Sequence, residues 1–176
     1  TNFIKKTMGN ILQVIDYPSP NFNERPNGYS IDCIVLHYTD TSTLQEALDI
    51  LTDPKCEVSS HYVIDEDGTI YRLVDDEKRA WHAGKSHWQG RDNVNHFSIG
   101  IELQNGGYHA GYALQGTWPE FSKPQIASLK NLLRHLIAKF SIDPSNIIGH
   151  SDVAPGRKID PGPAFPWHEL EDFGKF

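Results

Sequence analysis

Apolar positions along the chain fall into short runs whose period switches between two and 3.6, the pattern of strands alternating with helices. Ile31 to His37 (IDCIVLH) is a strand-length run rich in β-branched residues, and the turn-prone Thr39, Asp40, Thr41 and Ser42 follow it. It reads as a buried strand ending on a histidine. Thr43, with Glu46 three residues on, marks a helix start, and Leu44, Ala47, Leu48 and Leu51 keep helical spacing until Asp53-Pro54. Ser59 to Asp65 and Thr69 to Val74 flank the turn Glu66-Asp67-Gly68, which predicts a β-hairpin. Ser98 to Leu103 (SIGIEL) is the next strand, with Glu102 near its end. From Ser122, with Pro124 in the first turn, Ile126, Leu129, Leu132, Leu133, Leu136, Ile137 and Phe140 trace an amphipathic helix. Asn146 to His150 (NIIGH) is a short strand that again ends in histidine.

The intervening stretches read as connections. Residues 1–30 carry Pro18, Pro20, Pro26 and Gly28 and are expected to form an irregular arm packed on a domain of residues 31–176. Residues 80–97 resemble a long surface loop, residues 105–122 are rich in glycine and aromatics, and Ser151 to Phe165 is a proline-broken loop. The alternation predicts a single α/β domain.

Composition narrows the functional classes. At 176 residues the chain is expected to hold one core, and no apolar run approaches the ~18 residues needed to cross a bilayer. Sixteen Lys+Arg against 23 Asp+Glu give a net charge of −7, which argues against a nucleic-acid partner. Cys33 and Cys56 allow at most one disulfide. The outlier is histidine, with nine residues, and histidine is both a metal ligand and the side chain that titrates nearest neutrality.

Open α/β sheets place ligand sites beyond the carboxyl ends of their strands, and three predicted strands deliver His37, Glu102 and His150 to that edge. Asp160 follows His150 in a loop stiffened by Pro155-Gly156 and Pro161-Gly162. Two imidazoles and a carboxylate suit a tetrahedral zinc site whose fourth position stays open. The alternative is that His37 and His150 are strand-end histidines satisfied by backbone groups, with Glu102 and Lys158 serving as surface charges. A thiol hydrolase is disfavoured, because Cys33 sits in an apolar strand with nothing to lower its pKa.

The stretches VLHYTD (35–40), VSSHYVIDEDGTIYRLV (58–74), AWHAGKSHWQG (80–90), SIGIELQN (98–105) and GHSDVAPGRKIDPGPAFPW (149–167) resemble, in order, the zinc-dependent N-acetylmuramoyl-L-alanine amidases of the type 2 amidase (AmpD/AmiD-like) family. The resemblance implies a central mixed β-sheet flanked by helices, related to the peptidoglycan-recognition fold, with the zinc site at the C-terminal edge of the strands. It implies one zinc ion per chain on His37, His150 and Asp160, Glu102 as general base and Lys158 stabilising the oxyanion. The bond cut would be the amide between N-acetylmuramic acid, intact or 1,6-anhydro, and L-alanine of the peptidoglycan stem peptide. Trp81, His82, Ala83 and Asn95 are expected to contact substrate, His61 to be structural, and His87, His96, His109, His135 and His168 to be solvent-exposed. The partner would be peptidoglycan or a muropeptide and the protein a monomer. Glu57 and the long Asn105–Phe121 stretch favour the envelope branch and a periplasmic location, with cytoplasmic recycling as the alternative. A binding module that keeps the fold without cutting is the competing class, disfavoured because all five metal and catalytic positions are filled.

Overall fold

The computed structural model of the protein describes residues 2–7 and 10–174. Its centre is a seven-stranded mixed sheet in the order β1-β2-β6-β5-β10-β4-β11. The strands are β1 (Asn2–Thr7), β2 (Asn10–Asp16), β4 (Cys33–Tyr38), β5 (Tyr62–Ile64), β6 (Ile70–Arg72), β10 (Ser98–Leu103) and β11 (Ile147–Gly149). Smaller pairs join β3 (Phe22–Glu24) to β7 (Lys78–Ala80) and β8 (His87–Trp88) to β9 (Arg91–Asp92).

The expected irregular arm is corrected here. β1 and β2 pair antiparallel and β2 joins β6, so residues 2–7 and 10–16 extend the sheet. Residues 12–15 alternate, with Leu12 buried and Gln13 and Ile15 exposed, the half-buried pattern that a search for continuous apolar runs passes over. Further along the same segment, Arg25 donates to the carbonyl oxygens of Asp76 (2.9 Å), Asn95 (3.1 Å) and Ser98 (2.9 Å). The arm is thereby tied to the strands that carry the site.

β4 is buried along its whole length, as a strand covered on both faces must be. Its alternation separates two environments. Ile34 and Leu36, with Ile99, Ile101 and Leu103 of β10, share a core with Leu129, Leu132, Leu133 and Leu136 of the long helix over Lys123–Phe140. Each of those leucines is fully buried and contributes ~1.5–3 kcal/mol. Cys33 and Val35 face the other way, against Ala83, Val94, Phe97, Ile148 and Val153. His37 continues that second row.

The helix starts follow the capping signals. Thr43 Oγ1 accepts from the Glu46 N–H (3.2 Å) at α1 (Leu44–Thr52), and Ser122 Oγ accepts from Gln125 N–H (3.2 Å) at the long helix. The hairpin of β5 and β6 forms as expected, closed by Asp65 N–H to Thr69 O (2.9 Å).

Three connections differ from expectation. Residues 80–97 are not a surface loop: they contain the β8–β9 pair and a 3₁₀ turn at Val94–His96, and they bury Ala83, Val94 and Phe97 because they roof the second face of the sheet. Residues 107–112 wind into a π-turn and Ala113–Gln115 into a helical turn, α2 in a series in which the long helix is α3. β11 stops at Gly149, and His150 opens the one-turn helix α4 (His150–Val153) instead of closing the strand. His135, expected at the surface, is 8% exposed on the inner side of α3. Cys33 is buried, Cys56 is exposed, and both are free thiols. Among the described residues no helix is long and apolar enough to cross a membrane.

His61 is structural, as expected. Its Nδ1 accepts from the Gly100 N–H (3.0 Å) and its Nε2 lies 2.9 Å from the Lys78 carbonyl oxygen, a pair of contacts that only the neutral ring satisfies. Burial, helped by the nearby Arg25 guanidinium and opposed by Asp76, lowers its pKa to about 4. The unfolded chain therefore binds the extra proton first, so this stability is full above pH ~6.5 and lost as pH falls towards 4. Urea unfolding in chelator should give about 2 kcal/mol less stability at pH 5 than at pH 7 from His61 alone, and a pH-independent midpoint contradicts this.

Candidate metal centre

The parallel pairing of β10 with β4 sets Glu102 beside His37. Adjacent residues on paired strands point to the same face, so both side chains emerge on the roofed side of the sheet. His150 enters from the start of α4, and the loop behind it brings Asp160 to the same point. His37 Nδ1 and His150 Nδ1 lie 3.0 Å apart, and Asp160 Oδ2 lies 2.9 Å from the first and 3.1 Å from the second. The three residues are 1%, 4% and 7% exposed.

The outer ring nitrogens are engaged. His150 Nε2 lies 3.0 Å from the Ala83 carbonyl oxygen, which can only accept, so a neutral His150 directs the Nδ1 lone pair inward. His37 Nε2 lies 3.0 Å from His82 Nδ1. Burial raises the pKa of Asp160, but the His150 and His37 imidazoles against its Oδ2 outweigh it and hold the carboxyl well below the usual range. Burial lowers the pKa of His37. Where both imidazoles turn their Nδ1 lone pairs inward, they and the ionised carboxylate converge on one buried point that a cation would neutralise. Two nitrogens and one oxygen with the outer nitrogens held in place are a donor set that fits zinc.

Glu102 and Lys158 line the same cleft, about 460 Å³ in volume, as the three candidate ligands. Glu102 Oε2 is shielded from solvent and has no hydrogen-bond partner among the described residues. Burial first, and the Asp160 carboxylate second, push its pKa well above the usual value, while Lys158 pulls it back. An unpaired, proton-seeking carboxylate is what a general base requires. A larger groove of about 580 Å³ lies between Ser141–Ile147 and the C-terminal turn, but it carries no imidazole, thiol or amine.

The remaining expected contact residues divide. Trp81 lines the cleft, half-buried, with its indole N–H on Asn23 Oδ1 (3.2 Å). His82 borders the cleft, but its ring nitrogens face His37 and Ser98. Ala83 and Asn95 lie behind the wall: Ala83 supplies the carbonyl that meets His150, and Asn95 Oδ1 accepts from the N–H groups of His82 (3.2 Å) and Ala83 (2.9 Å). Sequence reasoning passed over Ser98 and Gly100, whose signal was the small residue at alternate positions of SIGIEL, and over the aromatic rim of Tyr38 and Tyr108. Cys33 belongs to the second core, and burial pushes its thiol up to about 12, which removes it as a nucleophile.

This arrangement coincides with a match of residues 27–163 to the Amidase_2 family, N-acetylmuramoyl-L-alanine amidase. The chain belongs to this family. It is 40% identical over 151 residues to the N-acetylmuramoyl-L-alanine amidase AmiD of Escherichia coli K12, covering 82% of this chain and 53% of AmiD. It is 34% identical over 167 residues to the 1,6-anhydro-N-acetylmuramyl-L-alanine amidase AmpD of Haemophilus influenzae, covering 85% of each. The chain thus spans about half the length of one relative and most of the other. Among solved structures, an AmpD crystal structure superposes with a TM-score of 0.75 at 31% identity, over 91% of this chain and 93% of that one. AmiD from E. coli, solved with anhydro-N-acetylmuramic acid-L-Ala-D-gamma-Glu-L-Lys, superposes with a TM-score of 0.73 at 36% identity, over 86% and 61%.

For this type 2 amidase, His150→Ala should bring zinc from one per chain to a trace by elemental analysis, with the sheet retained by circular dichroism. A full zinc complement in that variant contradicts the assignment of the ligands.

Proposed function

We propose that the chain is a zinc-dependent amidase that hydrolyses the bond between the lactyl carbonyl of N-acetylmuramic acid, intact or 1,6-anhydro, and the amine of L-alanine in the peptidoglycan stem peptide. The observation that carries the reading is the convergence of His37 Nδ1, His150 Nδ1 and Asp160 Oδ2 beside the unpaired Glu102 carboxylate. When bound, zinc supplies Lewis acidity to the substrate carbonyl and acidifies water at neutral pH.

The chain's own groups do the rest. Glu102 takes a proton from the attacking water as its oxygen bonds to the carbonyl carbon. The Lys158 ammonium, at the cleft wall, stabilises the negative charge that grows on the carbonyl oxygen. Glu102 then returns the proton to the departing nitrogen as the C–N bond breaks, leaving a lactyl carboxylate and a free α-amine, with no covalent bond to the enzyme. Exposed apolar side chains gather where substrate would lie: Ile50, Val58, Tyr108 and Ile159 all line this cleft. Aromatic rings such as Trp81 and Tyr108 suit the apolar faces of a sugar or a peptide.

In this reading the protein works alone in the envelope, in the periplasm, on wall-derived material. Identity with AmiD supports that branch, and the match to AmpD over 85% of each chain supports a recycling role on anhydro-muropeptides. Digestion of intact sacculi beside purified anhydro-muropeptides, with products weighed by mass spectrometry, separates the two. Glu102→Ala should keep its zinc and lose at least ~100-fold in turnover, and Lys158→Ala should lose ~100–1,000-fold. Normal hydrolysis by the Glu102 variant refutes the mechanism. Stem-peptide binding without release by the zinc-loaded wild type would make the protein a recognition module.

A further inference from the structure

The His82 imidazole is 8% exposed and has no ring nitrogen left for substrate. Its Nδ1 lies 3.0 Å from His37 Nε2, and its Nε2 lies 3.0 Å from Ser98 Oγ. The fold makes room for the ring: Gly100, on the same strand face as Ser98, sits against it, and a Cβ at Gly100 would overlap the imidazole. The Asn95 amide oxygen pins the backbone on which the ring is mounted.

We propose that Ser98, His82 and His37 form a hydrogen-bond relay in which His82 is a positioning residue that selects the His37 tautomer able to bind the metal. The proposal rests on the metal centre described above. A neutral imidazole has one N–H and one lone pair, so the partner at one nitrogen decides what the other offers. If His37 Nε2–H donates to His82 Nδ1, then His37 Nδ1 presents its lone pair to the point shared with His150 and Asp160. His82 Nε2–H then donates to Ser98 Oγ. The relay also runs in reverse: Ser98 O–H donates to His82 Nε2, His82 Nδ1–H to His37 Nε2, and His37 Nδ1–H to Asp160 Oδ2 at 2.9 Å. That direction satisfies the site without a cation.

A hydroxyl suits the far end because rotation makes it donor or acceptor. Passing from the second direction to the first releases one proton from His37 Nδ1 to solvent and returns one to Ser98, so the net charge is unchanged. His150 has no such choice, because its outer partner is a carbonyl. One ligand is therefore fixed by backbone and the other is set by a side-chain relay.

The test is zinc affinity, by competition with a chromophoric chelator, together with ¹⁵N NMR of the histidine rings. Wild-type protein loaded with zinc should carry the His37 proton on Nε2. His82→Phe, which fills the space without an acceptor, should weaken zinc binding ~10–100-fold. His82→Asn, whose Oδ1 can accept from His37 Nε2–H, should restore most of that loss. Turnover of His82→Phe at saturating zinc should keep the wild-type KM. Unchanged zinc affinity in His82→Phe overturns the relay, and so does a raised KM with unchanged affinity, which would make His82 a substrate contact. If His82→Phe fails to fold in chelator, Ser98→Ala decides: wild-type affinity with an unaltered His37 tautomer there overturns the proposal. Failure of the wild type to bind zinc would instead remove the metal centre itself.

Discussion

The register of β10 against β4 is the constraint on which the site depends. Parallel pairing opposes Glu102 to His37, Gly100 to Val35 and Ser98 to Cys33, so one face of β10 presents a hydroxyl, a gap and a carboxylate in succession. The hydroxyl meets His82, the gap admits its ring, and the carboxylate reaches the cleft. A slip of one residue would turn Glu102 into the leucine core under α3 and bring Ile101 to the cleft. The apolar residues at 99, 101 and 103 forbid that slip, so the packing that stabilises the sheet also sets the chemistry.

Burial gives the site its electrostatic character. An unpaired carboxylate in a low-dielectric wall costs free energy, and at Glu102 this raises the affinity for a proton that a general base needs. The same burial at His37 disfavours the imidazolium and favours the neutral ring that a metal site would need. Asp160 stays ionised because two imidazoles stand against its Oδ2. A neutral imidazole, an ionised carboxylate and a carboxyl with a raised proton affinity thus share one small volume.

Much of this was legible beforehand. The capped starts at Thr43 and Ser122, the hairpin around Gly68, and the strands that carry His37 and Glu102 near their ends are local events, decided by spacing and side-chain chemistry within a few residues. The candidate ligands were legible because Asp160 follows His150 in a distinctive loop and because the motifs resembled a family. The N-terminal pairing was not legible, since β2 is a half-buried strand whose partner, β6, lies more than fifty residues away. Residues 80–97 looked like exposed loop because their polar groups are satisfied by contacts from far away in the chain, such as Arg25 on the Asn95 carbonyl.

The residue types needed for the chemistry, and the short elements that carry them, are properties of local sequence, because caps, turns and periodicity act over one or two turns of chain. Which nitrogen of each histidine faces inward, that the His82 ring meets His37 and Ser98, and that Ala83 and Asn95 stand behind the wall are set by contacts between segments 12 to 67 residues apart. Such contacts depend on how the sheet closes and how its roof settles on it, and no local propensity encodes that. Of the nine histidines that set the chain apart, the fold brings two together at the candidate metal centre, sets one against His37 and gives one to holding the sheet.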